Sequence, residues 1–245
     1  MVELDQVTND IFLKGIFGEE LYKYAHVTSF KDDPSDIHND RRPICWSGGY
    51  FYKTSLIDNS NQFFTVSTFN TDQSGIERRR KQLLESIHLV VLDDVKEKLD
   101  EEQARLLPEP SYILQTSLGS EHWGYILETP LQDSQEFDNL HDGLVASDLV
   151  PDSTDPGQKG VTRYVRLPEG VNTKKKRIEE NGGSPPQCKL IHWNPENKYT
   201  LDQIAAPFNI DLNKPSKGIV DISSADIPDH PVLNHPAVKV KSRKS

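Results

Sequence analysis

Cysteine is nearly absent from this chain: Cys45 and Cys188 are its two in 245 residues. Isolated as they are, they supply neither a disulfide framework nor the paired spacing of a zinc site, and the eight histidines lack ligand spacing as well. Such sparse use of cysteine fits a reducing, cytoplasmic setting. Apolar residues make up only 35%, and no apolar run approaches the roughly 20 residues needed to span a bilayer. The opening Met1-Val2-Glu3-Leu4-Asp5 has neither the basic nor the apolar region of a signal peptide, so no membrane partner is expected. Also missing are a glycine-rich phosphate loop ending in Gly-Lys-Ser/Thr, a dinucleotide-binding Gly-x-Gly-x-x-Gly and a Gly-x-Ser-x-Gly nucleophile elbow.

Positive charge is scarce overall, with a net charge of −10, which argues against non-specific coating of nucleic acid. What basic charge there is, however, is concentrated. From Lys159 to Arg177 there are seven Lys/Arg and one acid, Glu169, directly after a stretch from Glu128 to Asp155 with eight Asp/Glu and no Lys/Arg. A second basic cluster, Arg78-Arg79-Arg80-Lys81, shortly precedes an apolar run ending in Asp93-Asp94. A charge run alone is usually a solvated face. Carboxylates set beside basic clusters twice over suit phosphate held near a cation.

Periodicity mixes helices and strands without strict alternation, which predicts an α+β fold. Residues 10–27 read as helical, capped by Asn9 or Asp10, with Gly15 and Gly18 interrupting; 30–45 read as loop. The 62–69 segment is rich in β-branched and aromatic residues and reads as a strand. Helical charge spacing over 76–86 leads into Ile87–Leu92, an apolar run of strand length suited to burial on both faces. Residues 96–107 suit a helix. Strands at 111–116 and 123–128, broken by Gly119, suggest a hairpin. A helix over 137–147, a strand over 162–167 ending at Pro168, and a short helix over 200–206 capped by Thr200 complete the pattern. Beyond about Asn213 periodicity fades. One folded domain is therefore expected over 1–212, with a Pro-bearing, basic linker or tail over 213–245.

Three constellations carry chemistry. Asp93 and Asp94 end a buried strand, where carboxylates can converge on a hard divalent cation; they would equally suit caps of the following turn. Ser120 and His122 sit two apart, so on a strand they share a face and present a hydroxyl and an imidazole to one anion; an incidental histidine in a hairpin is the plainer alternative. Asp155-Pro156-Gly157 is a turn signature that places a carboxylate eight residues before Arg163. Arg163 and Arg166, three apart, would face opposite sides of a strand, while Asn172 and Lys174 follow a turn at Gly170.

In this order the segments resemble the archaeo-eukaryotic primase superfamily, nearest to the primase-polymerase domains of phage and plasmid replication proteins. That family carries carboxylates after a hydrophobic strand, then Ser-x-His, then a lone Asp, and its phage branch adds Arg-Leu-Pro-Gly-x-x-Asn-x-Lys. Here that last element reads Arg166-Leu167-Pro168-Glu169-Gly170-Val171-Asn172-Thr173-Lys174, with an extra residue between Pro and Gly and one fewer between Gly and Asn. The resemblance covers roughly 45–210. It implies an archaeo-eukaryotic primase-like core of mixed and antiparallel sheets flanked by helices. It also implies a two-metal nucleotidyltransferase that makes or extends primers on single-stranded DNA. Asp93, Asp94 and Asp155 would bind Mg²⁺ or Mn²⁺. Ser120 and His122 would hold the triphosphate of an incoming nucleoside triphosphate, and Arg163, Arg166 and Lys174 would meet phosphate or template. A helicase domain or protein is a further partner that such proteins often have.

Two departures matter. The family spaces its first acids as Asp-x-Asp or Asp-x-Glu, whereas Asp93 and Asp94 are adjacent and an ideal strand would point them apart. Either the strand ends at Asp93, or one acid alone is a ligand and Glu97 or another acid helps. Asp148 and Asp152 also compete with Asp155 for the third position. A non-catalytic replication-initiator module that binds nucleic acid, and a metal-dependent nuclease using the same acids, are the alternatives.

Overall fold

The computed structural model describes residues 3–37, 42–147, 149–150 and 160–214. In chain order the strands are β1 (His26–Phe30), β2 (Gly49–Tyr50), β3 (Asn61–Thr65), β4 (Ser67–Phe69), β5 (Leu84–Val95), β6 (Tyr112–Ser117), β7 (Ser120–Leu131), β8 (Tyr164–Arg166), β9 (Lys189–Trp193) and β10 (Lys198–Tyr199). The helices are α1 (Asn9–Leu21), α2 (Arg42–Trp46), α3 (Glu101–Ala104), α4 (Gln135–Val145), α5 (Lys175–Glu180) and α6 (Leu201–Ala205). This is the expected α+β class. No helix among the described residues is long and apolar enough to cross a membrane.

The strands form two sheets. One has the order β2-β1-β3-β8 and is antiparallel throughout. The other runs β4-β5-β7-β6-β9, also antiparallel, and β10 pairs in parallel with β7 at Ile126 and Leu127, just beyond the end of β6. A single residue, Val66, separates β3 from β4, yet the two strands pair in different sheets. The 62–69 segment, expected as one strand, is therefore the corner that joins the sheets. The Val66 carbonyl accepts from the His88 amide (3.0 Å), which keeps the corner paired.

Two amphipathic helices close the core. In α1 the buried residues are Asn9, Phe12, Leu13, Ile16 and Phe17, an i, i+3, i+4, i+7, i+8 stripe. Phe12 meets Phe64 of the first sheet (ring centroids 5.6 Å apart) and Tyr112 and Trp193 of the second (4.9 and 5.0 Å). One aromatic side chain thus ties the sheets together. In α4 the stripe is Phe137, Leu140, His141, Leu144 and Val145. As expected, β5 is buried on both faces from Ser86 to Leu92.

Several local expectations change. The cap of α1 is Thr8, whose hydroxyl accepts from the Ile11 amide, not Asn9 or Asp10; the break falls at Gly18 (φ +79°), and the helix runs through Gly15. Residues 26–30 are strand β1, so the helical reading extended too far. The 76–86 helix does not form. Asp72 instead accepts from the amides of Ser74 and Ile76 and from Arg78 Nε, and Leu84 and Ser86 pair with β4. Asx-turn bonding and sheet pairing outweigh a pattern built from exposed charge. Within 96–107 only Glu101–Ala104 is α-helical.

Two stability outcomes follow. A Cβ at Gly124 would lie 1.9 Å from Cε1 of Tyr112, which is fully buried and cannot swing away. Gly124→Ala should cost about 1–3 kcal/mol or more in urea denaturation. Burial pulls His88 down to about 4, and its Nε2 sits 2.8 Å from Ser86 Oγ. Since the unfolded histidine titrates near about 6.5, only the unfolded chain gains this proton as pH falls from there toward 4. Stability should drop across that window by up to about 1.4 kcal/mol per pH unit for each such group, and His88→Gln should show a shallower slope. His26 is also lowered to about 4, by burial first and by Arg79 second, and adds to the same limb.

Candidate active site

The site begins with an irregularity in β5. Pairing with β7 is regular from Leu89 to Leu92, then the register shifts before Val95. Within the shift, Asp94 takes a left-handed conformation (φ +54°), and Lys96 does so after it (φ +73°). Such a conformation costs an L-residue roughly 1–2 kcal/mol, and Asp bears it better than most. The bulge is tied down locally: the Asp94 carbonyl accepts from the amides of Glu97, Lys98 and Leu99 (3.1, 2.8 and 3.2 Å), and the Asp94 amide donates to Asp93 Oδ1 (2.9 Å). A regular strand would send adjacent side chains to opposite faces. The bulge brings Asp93 and Asp94 to the lining of one cavity of about 210 Å³.

Beside the acids runs β7. Gly119 (φ +72°) makes the turn from β6, so Ser120 and His122 lie on the strand itself and share a face, as expected. Both line the cavity. Ser120 Oγ donates to Asp94 Oδ1 (3.2 Å), and His122 Nε2 lies 2.7 Å from Asp93 Oδ1. Buried His122 Nδ1 has no hydrogen-bond partner among the described residues. Glu121, between the two, points the other way, to Lys96 (2.7 Å) and Trp123 Nε1 (2.9 Å).

The first sheet supplies the basic side. Arg166 ends β8 and lines the cavity. Its guanidinium donates to Asn61 Oδ1, the Val171 carbonyl and Asn172 Oδ1 (3.0, 3.0 and 2.8 Å), so it fixes the turn that carries Asn172 and Lys174 into the same lining. Arg163 lies just before the strand. It donates to the Val91 carbonyl (3.2 Å) and lies 3.6 Å from Asp93 Oδ2. Sequence spacing places the two arginines on opposite sides; Arg163, which is not bound by the strand alternation, reaches Asp93, while Arg166 lines the cavity. Burial opposes ionisation of Asp93, but His122, Arg163 and Lys174 outweigh it and hold the carboxyl well below the usual carboxylate range.

Asp155, and with it Asp148 and Asp152, lies outside the described residues. Glu97, the acid considered as a helper, is drawn off by Arg177 and Lys176. Lys98 and Arg177 line the cavity without having been singled out; Lys98 pairs with Asp94 Oδ2 (2.5 Å) at i+4, a spacing legible in the chain. Pro34 and the aromatic Trp46, Phe63 and Tyr164 also line the cavity. No signal in the sequence links those four. Glu169, the extra residue in the Arg-Leu-Pro element, serves α1. Its carboxylate accepts from the Asn9 amide (2.6 Å), and its own amide donates to Asn9 Oδ1 (3.2 Å).

Chemically the arrangement sets hard carboxylate oxygens against a hydroxyl, an imidazole and four cationic side chains. Among the described residues no group of three or more His, Cys, Asp or Glu side chains could hold a metal. Two carboxylates nevertheless match the way Mg²⁺ is usually taken, through one or two protein carboxylates plus substrate phosphates.

The chain matches no protein-family model and no curated protein sequence. A solved structure shares its fold. The AEP domain of the cyanophage S-2L primase-polymerase superposes with a TM-score of 0.53 at 12% identity, over 82% of this chain and 96% of that domain. Two further similar structures are the catalytic domain of primase RepB' in complex with initiator DNA (TM-score 0.43, 15% identity, 80% of this chain and 91% of that one) and primase RepB' (0.38, 18%, 61% and 42%). Together with the two sheets joined at Val66 and the antiparallel strands that carry the acids, the likeness to the cyanophage domain identifies the fold of this chain as that of an archaeo-eukaryotic primase-polymerase domain.

Proposed function

We propose that this chain is a metal-dependent nucleotidyltransferase, a primase-polymerase that makes or extends primers on single-stranded DNA. The observation that carries the reading is the bulge that turns adjacent Asp93 and Asp94 into one cavity with Ser120, His122, Arg166 and Lys174. Asp93 and Asp94 would hold Mg²⁺ or Mn²⁺, with Asp155 as the third acid. When bound, the metal would neutralise charge on the phosphates and favour loss of the proton from the attacking hydroxyl.

The reaction is in-line attack of a 3′ hydroxyl on the α-phosphorus, breaking the bond to the bridging oxygen of pyrophosphate. This chain's part is positioning and charge. Ser120 Oγ and His122 are the donors at the acid pair, suited to the triphosphate oxygens. Lys174 Nζ, which makes no hydrogen bond or ion pair among the described residues, is available to phosphate. Arg166 adds buried positive charge and keeps Asn172 and Lys174 in place, while Arg163 holds Asp93 from behind. Asp93 stays ionised through the neutral pH range because its neighbours stabilise its charge. Nucleoside triphosphates and a single-stranded template are the expected partners.

One observation favours the non-catalytic alternative: Asp93 and Asp94 already have His122 and Lys98 as partners, an arrangement that is electrostatically stable without a metal. One assay separates the readings. With a single-stranded template, nucleotides and Mn²⁺ or Mg²⁺, the product should be primers or extended strands. Cleaved template would indicate a nuclease, and no reaction with either metal would indicate a binding module.

Asp93→Asn and Asp155→Asn should each lower product formation by about 100-fold or more while leaving the circular dichroism unchanged; full activity in the Asp155→Asn variant would refute that acid's role. At the bulge, backbone and charge separate cleanly. Asp94→Asn should keep the left-handed conformation and the folded stability but lose activity. Asp94→Val should lose activity and, in addition, roughly 1–2 kcal/mol in denaturant titration.

A further inference from the structure

The cavity has two unlike kinds of lining. Asp93, Asp94, Ser120, His122 and Lys174 are charged or polar; Pro34, Trp46, Phe63 and Tyr164 offer ring surface. The aromatic residues belong to a small hydrophobic cluster separate from the main core. Phe30, Cys45 and Phe63 are buried at its centre, and Trp46 and Tyr164 pack against them half-buried. Trp46 and Tyr164 are half-buried and keep surface on the cavity.

Both rings are held from behind. Trp46 packs edge-on against Phe30 (centroids 4.7 Å, interplanar angle 71°) and against Phe63 (5.1 Å). The Tyr164 hydroxyl is hydrogen-bonded to His26 Nδ1 (2.8 Å), and the Arg79 guanidinium lies 4.2 Å from the Tyr164 ring centroid. Arg79 also donates to the Trp46 carbonyl (3.3 Å), linking the two aromatics. The Trp46 and Tyr164 rings are 5.8 Å apart and inclined by only 32°. Two fixed ring surfaces, tilted against each other, therefore line the same cavity as the residues suited to polyphosphate. Flat apolar rings beside cationic and hydroxyl donors match a molecule with a flat aromatic end and an anionic end.

We propose that Trp46 and Tyr164 form the seat for the nucleobase of the incoming nucleotide, so that the cavity binds a nucleoside triphosphate at both ends. The proposal rests on the nucleotidyltransferase reading above and specifies its substrate site. Stacking tolerates every base, because each has a π-face, so the four nucleoside triphosphates should bind the free protein with similar affinity and the template strand must supply base choice.

The test compares two probes on the full chain by calorimetry in excess Mg²⁺: a nucleoside triphosphate and inorganic tripolyphosphate. The nucleoside triphosphate should bind about 10-fold more tightly or better. Trp46→Ala should bring the two affinities together by weakening the nucleoside triphosphate alone, and Trp46→Phe should restore most of the difference. Equal binding of both probes to the unaltered protein, or equal weakening of both by Trp46→Ala, would overturn the nucleobase seat and leave the phosphate side standing. Failure of both probes to bind at all would instead sink the nucleotide-site reading, and the seat with it. If Trp46→Ala does not fold, the comparison of probes on the unaltered protein and on Trp46→Phe still decides the matter.

Discussion

Everything at the site depends on one break in strand geometry. A buried strand is rigid because its amides are paired on both sides, and that pairing forces neighbouring side chains to opposite faces. Asp93 and Asp94 escape this constraint because β5 slips register beside β7 and Asp94 turns left-handed. The strain is small against the hydrogen bonds that the Asp94 carbonyl collects from Glu97, Lys98 and Leu99. Bulges commonly re-aim a side chain beside a functional site. Here the re-aimed carboxylate lands next to Ser120, and its neighbour lands next to His122. An Asp-x-Asp spacing would bring two acids to one side by strand alternation alone.

Charge is sorted by tertiary contact rather than by position in the chain. Of the basic strip, Lys175 pairs with Asp36, Lys176 with Glu97, and Arg177 with Glu97 and Glu180. The exposed pairs of Lys175 and Lys176 add about 1 kcal/mol or less each. What they do is cancel much of the strip, leaving Lys174 at the cavity without an ion-pair partner among the described residues. Buried Arg166 is a different case. A desolvated guanidinium is costly unless its donors are used, and Asn61, Val171 and Asn172 use them. The result is a turn held in one geometry, which is what a site that must place a charge to within an ångström requires.

Much of this was legible in the chain. The double-sided apolar run of β5, the hairpin of β6 and β7 with its glycine turn, the amphipathic α4 and the Thr200-capped α6 were read where they stand. So was the sharing of a face by Ser120 and His122, because period-2 alternation is a property of any strand. Failures came where local pattern and tertiary pairing disagreed. Residues 76–86 had helical charge spacing, yet exposed charge contributes little, and pairing with β4 took Leu84 and Ser86. His26–Phe30 was hidden by the helix before it, and the corner at Val66 leaves no mark because both its flanks are good strands.

The sequence by itself determined the class of the fold and the chemical inventory of the site: acids after a buried strand, a hydroxyl and imidazole two apart, then basic residues around a Pro and Gly turn. These follow from residue type and short-range spacing, which hydrophobic burial and strand geometry act on directly. Only the tertiary structure decided that the adjacent acids face one cavity, that Glu169 binds the first amide of α1, and that Arg163 reaches Asp93. It alone set Trp46 and Tyr164 in the same cavity as the carboxylates. Each of those outcomes depends on a register shift or on a contact between residues far apart in the chain, and such contacts exist only once the two sheets have packed.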